Sequence, residues 1–138
     1  DVERELRGHA PLTLGTAIPT GSGHLADHGV HSIIHTIVSP GLGEAARPLI
    51  IPDALEQAFD AVDRARGRSF AMPIIGVGSG ASAEQRLEAA RVVVETLIAH
   101  LRTRKHRIER GILVSRFEDD RVPLETLLIR ARERLWTS

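Results

Sequence analysis

A strand that runs into a glycine-rich loop and then into a long helix constrains the fold of this chain most strongly. The segment RSFAMPIIGV at 68–77 has the apolar composition of a buried strand. GSGA follows, and Ser82 with Gln85 forms a capping-box pattern at the start of a helix predicted over about 83–103. This order predicts an α/β fold in which helices connect the strands.

The rest of the chain continues the alternation of strands and helices. In chain order we predict a helix at 2–7, a short strand at 14–20, a buried strand at 31–39, a helix at about 53–66, a strand at 107–117 and a last helix ending near Leu135. The segments at 8–13, 21–29 and 40–48 are predicted to be loops. Together they predict one α/β domain over residues 1–138, around a mixed, largely parallel sheet.

Several residues sharpen these boundaries. Pro19 places the first strand at a sheet edge or a bulge, because proline cannot donate a ladder hydrogen bond. Asp53, with Glu56 three residues later, predicts a capped start for the first long helix. One apolar face follows at helical spacing in that helix, formed by Leu55, Ala58, Phe59 and Val62. Pro123 suits the first turn of the last helix.

Composition narrows the classes of function. The 138 residues carry 18 basic and 18 acidic side chains, so no net charge favours nucleic acid or a membrane surface. Three Phe and one Trp offer little surface for base stacking. The chain has no cysteine, which excludes disulfides and thiolate chemistry and is compatible with a cytoplasmic location. Composition therefore disfavours nucleic acid and membrane partners.

The loop after the central strand has the chemistry of a phosphate site. Gly76, Gly78 and Gly80 allow close approach of a ligand to the backbone, whose N–H groups can form an anion-binding nest. The N-terminus of the following helix adds unpaired N–H groups and a partial positive charge. A plain strand-to-helix connection is the alternative. A Walker loop is excluded because no Lys-Ser or Lys-Thr follows the glycines, and GxGxG differs from the Rossmann pattern.

At this point the sequence resembles a known family. LGTAIPTGSGHLADHGVHSIIHTIVSP at 14–40, a helix, and then SFAMPIIGVGSGAS at 69–82 are similar to a macro domain. The motifs that carry the resemblance are Gly15 to Thr20, Ile33-Ile34-His35, and Pro73 to Gly78. The resemblance covers nearly the whole chain but only about the last three-quarters of a family domain. It implies a three-layer α/β/α fold.

The resemblance also implies a ligand. Macro domains bind ADP-ribose and related metabolites, and some members hydrolyse ADP-ribosyl adducts. Phe117 would lie where an apolar side chain packs on adenine. The backbone that would surround the diphosphate and the distal ribose is that of Ile75, Gly76, Val77, Gly78, Ser79 and Gly80. Three functions stay open: ADP-ribose binding, ADP-ribosyl hydrolysis, and a structural or interaction role without a ligand. No cofactor or metal is implied.

Two family features are missing from these residues. They are the first strands, with an Asp that reads the adenine amino group, and an Asn-containing first phosphate loop. We expect an N-terminal segment or a partner chain to supply them and to complete the sheet. An intact mass near 15.1 kDa would contradict this expectation.

Other patterns are compatible with more than one interpretation. His24, His28, His31 and His35 have helical spacing that would suit a metal, yet SIIHTIV predicts a strand, with His35 structural. Asp27 and His28 could form an acid–base pair. The acidic run 118–120 is interpreted as a solvated loop with the charge preference of a helix N-terminus. The basic run RTRKHR at 102–107 predicts a solvated helix end, with a nucleic-acid contact as the alternative.

Overall fold

The structure, a computed structural model, describes residues 13–39 and 48–137. Its elements are β1 (Ala17–Gly21), β2 (Ser32–Thr36), α1 (Ile51–Arg64), β3 (Ser69–Pro73), α2 (Ala83–Thr103), β4 (Arg110–Val114) and α3 (Arg121–Trp136). The predicted order of strands and helices is confirmed for this part of the chain. The helix predicted at 2–7 and most of the loop predicted at 40–48 lie outside the described residues.

The four strands form one antiparallel and one parallel pair. β1 pairs with β2 antiparallel, with Ile18 opposite His35 and Pro19 opposite Ile34. β3 pairs with β4 in parallel, with Met72 opposite Leu113. Within the described residues each strand has one partner, so Pro19 lies on an edge strand, where a missing donor is tolerated. The α/β fold is confirmed, and its described strands include both the antiparallel and the parallel pairing expected of a mixed sheet.

The strands predicted as buried are only half covered. In β3 the half-buried Phe70 and Met72 alternate with exposed residues, and in β4 Ile112 and Val114 are exposed while Leu113 is half-buried. Each residue of β2 has intermediate exposure. The prediction of buried strands was wrong in this respect: the described helices cover one face of the β3–β4 pair, and the residues on its other face are exposed.

Three helices form a layer on that covered face, with α2 in the middle. One core cluster joins α1 and α2 through Leu55, Phe59 and Val93, with Phe70 and Leu113 packed against it. A second cluster joins α2 to α3, and Leu113 contacts it as well. Leu55 and Phe59 are fully buried, and burial of a side chain of this size stabilises the fold by about 1.5–3 kcal/mol.

The helix starts test the predicted caps. Ser82 Oγ accepts a hydrogen bond from the Gln85 N–H at 3.2 Å, and the Ser82 N–H donates to Gln85 Oε1 at 2.8 Å. This capping box confirms the predicted start of α2. The predicted Asp53 cap is wrong, because α1 begins two residues earlier, with Pro52 in its first turn and no side-chain cap.

The segment predicted as a loop at 21–29 contains a short 3₁₀ helix over Gly23–His28, which Gly29 ends at a φ of 80°. Such short turns lack the apolar periodicity that sequence analysis detects.

Of the helices that the structure describes, none combines the length and the apolarity needed to cross a bilayer.

Candidate functional site

The glycine loop leaves the carboxyl end of β3 and leads into α2. Gly76 has a φ of +91°, and a Cβ at this position would collide with the side chain of Ile51 at the start of α1. Because residues with a side chain rarely adopt that φ, the fold itself requires a glycine at this position. Gly76 therefore sets the direction in which the chain leaves the strand.

Gly78 and Gly80 differ from Gly76 in this respect. Neither has a positive φ, and a Cβ at either position would meet no described atom within 4 Å. Neither backbone conformation nor packing in the described structure requires these two glycines. Their lack of a side chain leaves the loop backbone accessible from outside.

The loop presents a set of backbone donors. The Ala81 N–H donates to the Gly78 carbonyl at 3.1 Å. Within the described residues, the N–H groups of Gly76, Val77, Gly78, Ser79 and Gly80 have no hydrogen-bond partner. The loop lies next to the N-terminus of the 21-residue helix α2, where further N–H groups and the helix dipole favour an anion.

An open cleft of about 600 Å³ runs along this loop. Of the residues predicted for the site, it is lined by Ile75, Gly76, Val77, Gly78 and Gly80. Ser79 and Phe117 are not among the residues that line it. The cleft adds six residues that were not among the predicted site residues, namely Ile51, Ala81, Gln85, Glu88, Ala89 and Val92. For the residues on α1 and α2, their spacing in the sequence does not indicate which ones face the loop.

A buried ion pair supports the far end of the loop. The Arg86 guanidinium, on the first turns of α2, forms a bidentate pair with Asp120 at 2.8 Å, and the two side chains are 11% and 5% exposed. Arg86 also donates to the Ala81 carbonyl at 2.7 Å, and Ser115 Oγ donates to Asp120. One arginine thus links the loop, α2 and the start of α3.

The pair shifts the titration of both groups. The hydrogen bond from Arg86, assisted by one from Ser115, lowers the pKa of the Asp120 carboxyl below its ordinary value, against the opposing effect of burial. The hydrogen bond to Asp120 raises the pKa of the Arg86 guanidinium. Asp120 is therefore a buried carboxylate, and the prediction that it belongs to a solvated loop was wrong.

Phe117 lies beside this pair rather than in the cleft. The Arg86 Cζ is 3.8 Å from the centroid of the Phe117 ring, and the Arg116 Cζ is 4.8 Å from it. The Arg116 guanidinium also donates to the Ser79 carbonyl at 3.2 Å. Phe117 is thus held close to the glycine loop by two arginines, both of which contact loop carbonyls.

Among the described residues, the four histidines at 24, 28, 31 and 35 belong to no group with metal-ligand spacing. Those at 24 and 28 are exposed on the 3₁₀ helix, next to Asp27, and His31 is also exposed. His35 Nε2 lies 3.0 Å from Thr20 Oγ1 across the β1–β2 pair, as a structural histidine would.

A different histidine is buried with two carboxylates. His100 Nε2 lies 2.6 Å from Asp63 Oδ2, and its Nδ1 lies 3.9 Å from Asp60 Oδ1. Two ligands of one tetrahedral zinc stand roughly 3.3 Å apart, given bonds of about 2.0 Å. The shorter distance indicates a hydrogen bond that fastens α1 to α2, rather than a metal site. Sequence analysis missed it because the residues lie 37 positions apart.

Comparisons with known proteins bear on the fold. No protein-family model and no curated protein matches the sequence. Among solved structures, a mutant of the Oceanobacillus iheyensis macrodomain with ADPR matches with a TM-score of 0.70 and 22% identity, over 96% of this chain and 70% of that one. The same macrodomain with MES bound matches with a TM-score of 0.67 and 23% identity, over 96% and 66%.

A third match comes from another protein. The macrodomain of Thermus aquaticus DarG has a TM-score of 0.59 and 20% identity, over 79% of this chain and 65% of that one. The chain spans about two-thirds of the length of these structures. Together the three matches show that it has the macrodomain fold, as its motifs predicted.

Proposed function

We propose that this protein, whose fold is that of the macrodomains, binds ADP-ribose or a related nucleotide diphosphate through the loop at 75–82. The observation that carries the proposal is the row of loop N–H groups from Gly76 to Gly80, next to the N-terminus of α2, which have no hydrogen-bond partner in the part of the chain that the structure describes. Such a row is suited to the oxygens of a diphosphate. That a macrodomain of this fold has been solved with ADPR supports the identity of the ligand.

The two accessible glycines support the same proposal. Since the described structure does not require glycine at 78 or 80, we attribute their presence to the close approach of a ligand. Phe117 is proposed to contact the adenine from beside the loop, sharing its ring with the Arg86 guanidinium. We expect the protein to act in the cytoplasm.

Binding is proposed ahead of hydrolysis. Among the described residues that line the cleft, Glu88 is the only one with an ionisable side chain, and its Oε2 lies 3.8 Å from Arg91 Nη1. A single exposed carboxylate next to an arginine has no feature that marks a general base. If this protein released ADP-ribose from an ADP-ribosylated protein, we would assign it as a hydrolase instead.

The described strands do not form one continuous sheet. β2 and β3 belong to separate pairs, and α1 packs against β1 and β2 as well as against Phe70 of β3. We infer that a further segment, from this polypeptide or a partner chain, completes the sheet and supplies a first phosphate loop. The intact mass of the protein from its native source tests this; 15.1 kDa without a partner would contradict it.

Calorimetric titration with ADP-ribose tests the binding function. We expect saturable binding that weakens in the series Gly78→Ala and Gly78→Val, because each added group enters the space beside the loop N–H groups. The control is Ala71→Val, which adds bulk at an exposed position in β3, outside the loop. Absence of heat at millimolar ADP-ribose, or equal affinity in Gly78→Val and the wild type, would refute the proposal.

A further inference from the structure

The end of the β3–β4 pair opposite the glycine loop carries a concentration of positive charge. Two segments, 64–68 and 102–110, contain eight basic residues and one carboxylate, a formal charge of +7 in a chain whose net charge is zero. We call this set the basic pole; it consists of Arg64, Arg66, Arg68, Arg102, Arg104, Lys105, Arg107 and Arg110. All eight are exposed.

The fold joins the two segments although 33 residues separate them in sequence. The Glu109 N–H donates to the Arg68 carbonyl at 2.8 Å, and Arg110 pairs with Ser69 at the start of the parallel ladder. The two segments are therefore neighbours at one edge of the molecule. Neither the net charge nor either segment alone indicates this arrangement, because pairing of β3 with β4 brings the two segments together.

Two members of the basic pole have partners among the described residues. Arg68 is paired with Glu109, and Arg102 donates to the Arg134 carbonyl. Within the described residues, no carboxylate forms an ion pair with the other six, Arg64, Arg66, Arg104, Lys105, Arg107 and Arg110.

The helix ends account for only some of the charge. Cations are stabilised at the last turn of a helix by its dipole, which explains Arg64 and Arg102. Arg66, Lys105 and Arg107 lie beyond the helices in connecting segments, where the dipole effect has faded. Their accumulation indicates a surface that meets negative charge from outside the molecule.

We propose that the basic pole binds the phosphate backbone of a nucleic-acid duplex without reading its sequence. Seven of its eight cations are arginines, whose planar guanidinium matches two phosphate oxygens at once. The pole itself contains no Phe, Tyr or Trp to stack on unpaired bases, which favours a duplex over a single strand. This surface is separate from the glycine loop and does not depend on ADP-ribose binding.

Fluorescence anisotropy with a labelled DNA duplex of mixed sequence tests the proposal. Each phosphate contact contributes about −0.9 to the slope of log K against log salt, so about four contacts give a slope near −4. The double variant Arg104→Gln/Arg107→Gln is expected to weaken binding by roughly 10-fold or more at low salt and to reduce the slope by about 2. Its matched control is Arg91→Gln/Arg121→Gln, which removes the same charge from exposed positions outside the pole.

The outcomes separate the alternatives. An unchanged affinity in the control variant, together with a loss in the pole variant, supports the proposal. Equal losses in both variants, or no binding at low salt, would overturn it. Tighter binding to polyglutamate than to the duplex would also overturn it, in favour of an acidic protein partner. Titration of both variants with ADP-ribose reports separately on the glycine loop, whose binding they are expected to retain.

Discussion

Each end of the β3–β4 pair carries an arginine–carboxylate pair, and the two pairs differ in their surroundings. At the carboxyl end, Arg86 and Asp120 are 11% and 5% exposed, and they also bind a loop carbonyl and Ser115. At the amino end, Arg68 and Glu109 are 72% and 62% exposed. The two pairs therefore differ in what they do. The buried pair holds the backbone of the glycine loop in place, whereas the exposed pair is surrounded by water.

The two ends also offer positive charge in different ways. The loop presents backbone N–H groups whose positions are fixed by the fold, while the basic pole presents long side chains in water. The five residues of β3 alone span roughly 16 Å, about twice the Debye length of about 8 Å at physiological salt. We therefore expect the two ends to bind anions independently, with salt weakening the basic pole far more than the loop.

The largest expected difference is between two variants that each lack one carboxylate, one variant for each end of the β3–β4 pair. Asp120→Ala leaves the Arg86 guanidinium buried without its partner, and we expect the Tm to fall by about 10 °C. Glu109→Ala breaks an exposed pair, and the Tm is expected to change by less than about 2 °C. Thermal unfolding followed by circular dichroism measures both. Similar shifts in the two variants would show that burial does not distinguish the pairs.

The pH dependence of stability sharpens this contrast. Because the pKa of Asp120 is lowered in the folded state, its stabilising effect is present above its ordinary value of 3.8 and is lost as the pH falls through the lowered pKa. The Tm advantage of the wild type over Asp120→Asn should therefore be full near about pH 7 and shrink below about pH 4. An advantage that grew on acidification would contradict the assignment.

A smaller effect distinguishes two glycines of the loop. Gly76→Ala places a side chain at a φ of +91° and against Ile51, so we expect a loss of about 2 kcal/mol in the free energy of unfolding. Gly78→Ala has neither problem and should change that free energy by less than about 0.5 kcal/mol. Urea unfolding of both variants provides the measurement. Equal destabilisation would mean that Gly78 is needed by the fold and not by a ligand.

The smallest expected effect lies at the two ends of α2. Ser82→Ala removes the hydrogen bond that caps the helix beside the loop and should cost about 1 kcal/mol. Thr103→Ala removes only a bond from Thr103 Oγ1 to the Ala99 carbonyl within the last turn and should cost less than about 0.5 kcal/mol. The two variants can be compared by urea unfolding, and a larger loss for Thr103→Ala would contradict the capping argument.

Local signals determined how well the fold could be predicted. The bounds of α2 matched because its capping box and apolar repeat lie within a single stretch of sequence. The start of α1 was misplaced because Asp53 fits a cap pattern, while Pro52 and the packing of Ile51 extend the helix. Strand burial was overestimated because it depends on which layers cover the sheet.

The candidate site could be predicted only where a single stretch of sequence forms it. The glycine loop is contiguous, and its position between a strand and a helix was correct. Arg86 and Asp120 are 34 residues apart, and neither one alone suggests burial. The basic pole likewise arises from two separated segments. Contacts between distant residues thus escaped prediction, since no local pattern encodes them.

An NMR titration of the ¹⁵N-labelled protein tests most directly whether the two ends of the β3–β4 pair bind different anions. ADP-ribose is expected to shift the backbone amides of residues 75–82, while a DNA duplex at low salt is expected to shift those of 64–68 and 102–110. Adding salt should reverse the second set of shifts and leave the first. Shifts from both ligands at the same amides, or none at the loop with ADP-ribose, would contradict the account.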